Sequence, residues 1–240
     1  MKSKKDATSD IVRKIIPIGG GLLRLGETVI IDKFIVKESN RKNPKVLFIP
    51  TASKDLPVYS SAFRQVYKKL GCEVKILRLF SRKKLSRKIL EKLITNADII
   101  YVGGGKYDVL FSTWKKHKIF PLIQLVYKQG TILAGLSAGC AIWYEYLLDN
   151  DKNKKPCLKK GLGILKGIAV PHYKVRDLFP MEIRKRKAKE IITAIEDRCA
   201  VIYFDEQIKG SIPVDKERAF TISSPYVKRR PVTLHLQSSR

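Results

Sequence analysis

Residues 131–140 read Thr-Ile-Leu-Ala-Gly-Leu-Ser-Ala-Gly-Cys, and this stretch decides the fold. Its first part, 131–136, is a continuous apolar run, the pattern of a strand buried on both faces. Its second part, Gly135-Leu136-Ser137-Ala138-Gly139, fits G-x-S-x-G. Small residues two before and two after a serine let a chain turn sharply from strand to helix. The serine side chain then projects at a helix N-terminus, where free amides can stabilise a developing oxyanion. A helical run is expected over 138–147. The pentapeptide alone is a weak signal, and the strand before it with the helix after it make it specific.

Outward from this turn, short apolar runs alternate with longer amphipathic ones. Strands are expected at 15–18, 46–49, 74–79, 98–102, 167–170 and 200–204. Helices are expected at 58–70, 85–94 (Leu85, Ile89 and Leu93 inward), 107–114, 120–128 and 181–195. Residues 149–160 read as a lysine-rich surface loop, 210–214 with 218–222 as a hairpin, and the stretch from Ser223 as a basic, irregular tail. Such alternation predicts an α/β fold whose parallel sheet is covered on both faces. One domain is expected over 15–222, between a basic N-terminal extension (1–14) and a basic C-terminal tail (223–240). Ligands of such sheets bind beyond the carboxyl ends of the strands, which directs attention to the turns after Ile18, Val102 and Leu136.

A serine nucleophile needs a base, and the chain has three histidines. His235 lies in the tail, and His117 closes the polar run Lys115-Lys116-His117-Lys118. His172 follows a short β-branched strand and Pro171, where a loop can deliver it to the turn. The carboxylate that orients His172 is sought in the acidic stretch after the elbow: Glu145, Asp149 or Asp151. Gly103-Gly104-Gly105 allows close backbone approach of a ligand and amides that point one way. No phosphate-loop or dinucleotide fingerprint is present, so an oxyanion role for these amides, together with Ala138, fits better. Gly19-Gly20-Gly21 reads as a turn near the site rather than in it.

The composition bounds the partners. Lys plus Arg is 49 against 22 Asp plus Glu, a formal charge of +27. The excess is spread along the chain: eleven bases to two acids over 64–92, fourteen to five over 152–198, and eleven to five over 1–45. Spread charge argues for a solvated surface over a dedicated nucleic-acid patch, so non-specific nucleic-acid binding is the alternative. No apolar run reaches the length of a membrane span, and the polar start MKSKKDATSD has no signal-peptide core. Cys72, Cys140, Cys157 and Cys199 have no metal-ligand spacing, so neither metal nor cofactor is expected, and a reduced cytoplasmic setting is.

With Ile18-Gly19-Gly20-Gly21, Phe48-Ile49-Pro50-Thr51-Ala52-Ser53, Tyr101-Val102-Gly103-Gly104-Gly105, the Ser137 elbow with Trp143, and Pro171-His172-Tyr173 in order, the chain resembles the peptidase E-like serine peptidases. That group includes aspartyl dipeptidase and cyanophycinase. The resemblance runs from about residue 15 to about 222. It implies a three-layer sandwich like that of class I glutamine amidotransferases. It implies Ser137 as nucleophile, His172 as base, and an oxyanion hole from amides at Gly104, Gly105 and Ala138. The implied order serine–acid–histidine places the acid between them, with Asp149 ranked first. Arg176 is the nearest match for an arginine that binds an acidic substrate group. Lys106-Tyr107 stands where relatives often carry Asn-Thr, which bears on specificity. The implied activity is hydrolysis of dipeptides or short peptides, with an acidic N-terminal residue and a homodimer both allowed. A binding module on the same fold is the alternative.

Overall fold

The structure, a computed structural model, describes residues 11–80, 85–150, 153–174, 191–216, 218–223 and 228–233. The elements in chain order are β1 (Lys14–Ile18), α1 (Val29–Glu38), β2 (Lys45–Ile49), α2 (Pro57–Lys69), β3 (Glu73–Ile76), α3 (Arg87–Thr95) and β4 (Ile99–Val102). Then follow α4 (Tyr107–Lys116), α5 (Phe120–Lys128), β5 (Ile132–Leu136), α6 (Ala138–Ala141), β6 (Tyr144–Asn150), β7 (Pro156–Lys160) and β8 (Leu165–Val170). The chain closes with β9 (Ile192–Ile195), β10 (Cys199–Phe204), β11 (Gln207–Pro213), β12 (Ala219–Ser223) and β13 (Lys228–Pro231).

Seven strands form the main sheet in the order β11-β10-β1-β5-β4-β2-β3. The run from β1 to β3 is parallel, and β10 and β11 add an antiparallel edge. Alternate side chains of these strands feed two cores. Ile16, Ile18, Phe48, Tyr101 and Ala134 meet Ile31 and Ile35 of α1 and Phe63 and Tyr67 of α2. Ile15, Leu47, Ile100, Val102 and Leu133 meet α3, α4, α5 and α6 on the other face. This is the α/β, three-layer arrangement with a mostly parallel sheet. It places the ends of β1, β4 and β5 together at one rim, because parallel neighbours in register finish together.

A second sheet, β13-β12-β9-β8-β6-β7, packs against the α4–α6 side through Leu147, Leu165, Ala169, Ile195 and Ala219. It accounts for most departures from the sequence reading. The helix expected over 138–147 ends at Ala141, and β6 follows. The carbonyls of Ile142, Trp143 and Tyr144 accept long-range amide bonds from Leu162, Leu165 and Gly163, which takes them out of helical pairing. The expected loop 149–160 supplies the end of β6 and all of β7, an antiparallel pair with Leu148 opposite Leu158. Residues 192–195 are a strand between β8 and β12, not the end of a helix; residues 181–190 of that expected helix lie outside the described residues. The expected hairpin of 210–214 with 218–222 does not form. β11 pairs with β10 in the main sheet, whereas β12 pairs with β9 and β13 in the other. β13 lies in the stretch expected to be irregular.

Smaller differences follow from local chemistry. α1 went unread because its turns carry Asp32 on the buried face. The 85–94 helix turns Leu90 and Ile94 inward and leaves Ile89 half exposed, after Ser86 caps it by accepting from the Ile89 amide. No helix among the described residues is long and apolar enough to cross a membrane.

Candidate active site

The serine turn is held by backbone contacts that only glycines permit. A β-carbon on Gly135 would collide with the Gly139 carbonyl, and one on Gly139 with the Val102 carbonyl. β5, α6 and β4 therefore close on one another with nothing between them. Ser137 is forced to φ 57° and ψ −112°, a conformation that non-glycine residues rarely adopt and that sites store as strain. Its amide donates to the Ile18 carbonyl at 2.9 Å, tying the turn to the end of β1. The Ala138 amide opens α6 and has no acceptor within the helix.

His172 reaches this turn from the end of β8. It also adopts a left-handed backbone, φ 55°, and its amide donates to the Gly19 carbonyl at 3.3 Å. Ser137 Oγ lies 2.7 Å from His172 Nε2, and His172 Nδ1 lies 2.5 Å from Asp197 Oδ1. With Nδ1–H donating to the carboxylate, Nε2 is left to accept the serine proton. Three side chains from the ends of β5, β8 and β9 thus form one hydrogen-bonded line, serine to imidazole to carboxylate. The imidazole and carboxylate are about half exposed, so the line opens to solvent.

Asp197 replaces the expected Asp149. Asp149 sits on β6, where its carboxylate takes Lys159 at 2.9 Å, and Lys159 also holds Asp108 of α4 at 2.8 Å. Glu145 is likewise engaged, by Lys166 and by the Gly167 amide. Asp151 and Arg176 lie outside the described residues. The order along the chain is serine, histidine, acid. Asp197 was missed because 192–195 was read as helix. The signal lay in Ile192-Thr193-Ala194-Ile195, a β-branched strand whose end carries Glu196-Asp197. The antiparallel β10 begins beside the end of β1, Ala200 opposite Ile18, so the residues just before it fall on the functional rim.

The first glycine run belongs to the site rather than its surroundings. Gly20 pairs with Asp197 in a parallel bridge, and a β-carbon on Gly20 would collide with Asp197 Oδ1 and lie 2.5 Å from His172 Nδ1. Gly19 likewise lies against the carbonyls of Ile195 and Glu196.

The second run is only partly as expected. Gly104 touches the nucleophile turn, since its β-carbon would stand 3.3 Å from Ser137 Cβ. Its amide, however, donates to Tyr59 Oη at 3.2 Å, so it is not a free oxyanion donor. Tyr59 is a contributor that the sequence reading missed; burial pushes its phenol up to about 12. Gly105, at φ 140°, packs on the Ala52 carbonyl and Ser53, and serves the corner rather than a ligand. Tyr107 does not face a substrate. It is buried, stacks near Phe111, and donates its hydroxyl to the Lys160 carbonyl at 2.7 Å, a bond between α4 and β7. Lys106 precedes α4 and is exposed. Cys140, on α6, faces the core rather than the serine, and burial raises its thiol well above the ordinary range. Among the described residues no cluster of histidine, cysteine and carboxylate side chains could hold a metal ion.

The model of Peptidase family S51 matches residues 15–210. An uncharacterized peptidase of Bacillus subtilis (strain 168), YgaJ, is 32% identical over 163 residues, which cover 68% of this chain and 69% of that protein. A second uncharacterized peptidase, from Pasteurella multocida (strain Pm70), is 29% identical over 154 residues, covering 60% of this chain and 72% of that one. Among solved structures, a peptidase from an acI-B1 actinobacterium superposes with a TM-score of 0.72 at 20% identity, covering 93% of this chain and 95% of that one. That likeness bears on the fold alone.

Proposed function

The chain belongs to Peptidase family S51, and on that premise we propose that it hydrolyses dipeptides or short peptides through Ser137, His172 and Asp197. The observation that carries the reading is the unbroken line from Ser137 Oγ to His172 to Asp197, at 2.7 and 2.5 Å. Ser137 Oγ attacks the scissile carbonyl carbon while His172 Nε2 takes its proton. The Ala138 amide receives the developing oxyanion at the start of α6. His172 then gives that proton to the leaving amine, and an acyl-enzyme remains on Ser137. Water, deprotonated by the same nitrogen, attacks the ester and frees the acid and Ser137. Asp197 keeps the imidazole in the tautomer with Nδ1–H and stabilises its charged form. Asp149 takes no part in this scheme. It anchors the β6–β7 pair to α4.

On the substrate side, the exposed Lys106 at the edge of the Gly104 corner is a cation for a carboxylate, and the family resemblance adds Arg176, which lies outside the described residues. An acidic N-terminal residue is therefore the favoured specificity, and the +27 charge would draw such peptides in.

A fluorophosphonate probe and a dipeptide library test the reading. The wild type is expected to take the label and to turn over peptides, and Ser137→Ala to do neither. Labelling that survives Ser137→Ala would overturn it. So would a folded wild-type protein that neither labels nor cleaves any peptide.

A further inference from the structure

The Gly104 amide touches the nucleophile turn yet spends its proton on Tyr59 Oη, 3.2 Å away. An oxygen on that amide's axis stands where a substrate oxygen would have to sit. A bound tyrosine there is either an obstacle that leaves when substrate arrives or a fixed part of the hole.

The packing favours a fixed part. The Tyr59 ring stands edge-on to Phe48, with centroids 5.0 Å apart and planes at 76°. Phe48 stacks on Phe63 at 4.0 Å, and Phe63 stacks on Tyr67 at 4.1 Å. The ring passes over Gly103, where a β-carbon would lie 2.9 Å from its Cε1, so the absent side chain at 103 makes the seat. A flip about the ring's own axis leaves Oη in place. Removing the hydroxyl means pulling the ring out of its edge-on seat against the Phe48–Phe63–Tyr67 stack.

The hydrogen-bond count supplies the rest. Among the described residues, Gly104 N–H is the hydroxyl's one partner, and it uses an oxygen lone pair. Among the described residues the O–H proton is left without a protein acceptor, next to a glycine that itself touches the Ser137 turn, and accepting from an amide makes a hydroxyl a stronger donor. Tyr59 is partly buried, so the count is completed by solvent in the free protein and by a ligand oxygen when one enters.

We propose that Tyr59 is a catalytic residue whose hydroxyl donates to the oxyanion of the acyl-transfer step, with Gly104 N–H holding it in place behind and Ala138 N–H as the second donor. The side chain takes over the role that the resemblance gives to the Gly104 amide. No proton is transferred: the bond strengthens as the carbonyl oxygen gains charge and relaxes when the carbonyl re-forms. Because the phenol is held above the usual tyrosine range, the donor persists through the alkaline range in which the serine chemistry operates.

This inference rests on Ser137 being the nucleophile, and the experiment separates the two. Tyr59→Phe keeps the ring and its stack and removes only the hydroxyl. Its kcat is expected to fall about 10²- to 10³-fold, the usual loss for one oxyanion donor. KM, the melting temperature and peptide affinity measured in a Ser137→Ala background should hold. Fluorophosphonate labelling should slow in parallel, since its phosphoryl oxygen enters the same hole. A purely structural tyrosine would instead lower stability and move kcat and KM together. Unchanged or raised kcat in Tyr59→Phe, with labelling still dependent on Ser137, overturns the proposal and makes Tyr59 a bystander or an obstacle. Labelling that does not depend on Ser137 overturns the underlying mechanism instead.

Discussion

Gly20→Ala tests the assembled site without touching any reacting group. A β-carbon at position 20 would lie 2.5 Å from His172 Nδ1 and 2.6 Å from its Cε1, and closer still to Asp197 Oδ1. Carbon contacts settle near about 3.5 Å, so the imidazole must retreat by roughly 1 Å and the carboxylate by more. A misplacement of that size costs about 100-fold in rate, and kcat/KM is expected to fall by about that factor. The fold should tolerate the change. Gly20 lies outside the left-handed region, so alanine meets no backbone penalty there. The two displaced side chains are 50% and 52% exposed and can swing toward solvent. The expected cost is about 1 kcal/mol, or a Tm lowered by about 2–4 °C for a chain of this size. The assay pairs fluorophosphonate labelling rates and peptide turnover with a thermal melt. Gly26→Ala is the control, because its β-carbon meets nothing within 4 Å and only its φ of +75° is strained. It should lose a similar stability and keep its activity. A Gly20→Ala enzyme labelling and cleaving within about 3-fold of wild type, against the 100-fold expected from misplacement, would refute the packing of the His172–Asp197 pair on Gly20.

Two further expectations are independent of that contact. Asp197→Asn should lower kcat by about 10⁴-fold through the wrong imidazole tautomer, while Asp149→Asn leaves turnover unchanged and loses at most about 1 kcal/mol with its partly exposed Lys159 pair; the reverse ranking in steady-state kinetics would restore Asp149 to the site. The buried Asp32, held by Thr28 and Tyr67, has its carboxyl raised from 3.8 to about 6 by burial. The folded state therefore binds more protons than the unfolded one between those values, and stability falls as pH rises from about 4 to 6, by about 3 kcal/mol in all. Denaturant melts of Asp32→Asn should lack this loss, and identical pH profiles for the two proteins would rule it out.

How far the sequence could be read depended on where each residue's partners lie. The parallel strands, the serine turn and His172 are local patterns: an apolar run, glycines bracketing a serine, a histidine after a strand and a proline. Their physical requirement is met within a few residues, so the sequence displays it. The acid is different. Asp149 and Asp197 are both acidic residues near strand ends, and nothing local separates them. Choosing between them needs the second sheet, whose strands β6 and β9 carried helical periodicity as well as β-branched and aromatic side chains. The propensity of Tyr144–Asn150 and Ile192–Ile195 was outweighed by backbone partners far along the chain. Tyr107 was misread for a related reason. Its place after the glycine run suggested substrate, but its hydroxyl had a carbonyl waiting on β7.

By itself the sequence determined the α/β class and displayed the serine turn and the histidine that the structure brings within hydrogen-bond distance, because glycine spacing and strand burial are written in order along the chain. The tertiary structure alone decided that Asp197 completes the line, that Gly20 forms its wall, and that Tyr59 occupies the Gly104 amide. Each of those is a contact between segments 25 to 177 residues apart, set by how two sheets and the α2 helix close on one rim. A linear pattern carries the kinds of side chain available, and only the packing of the two sheets fixes which of them meet.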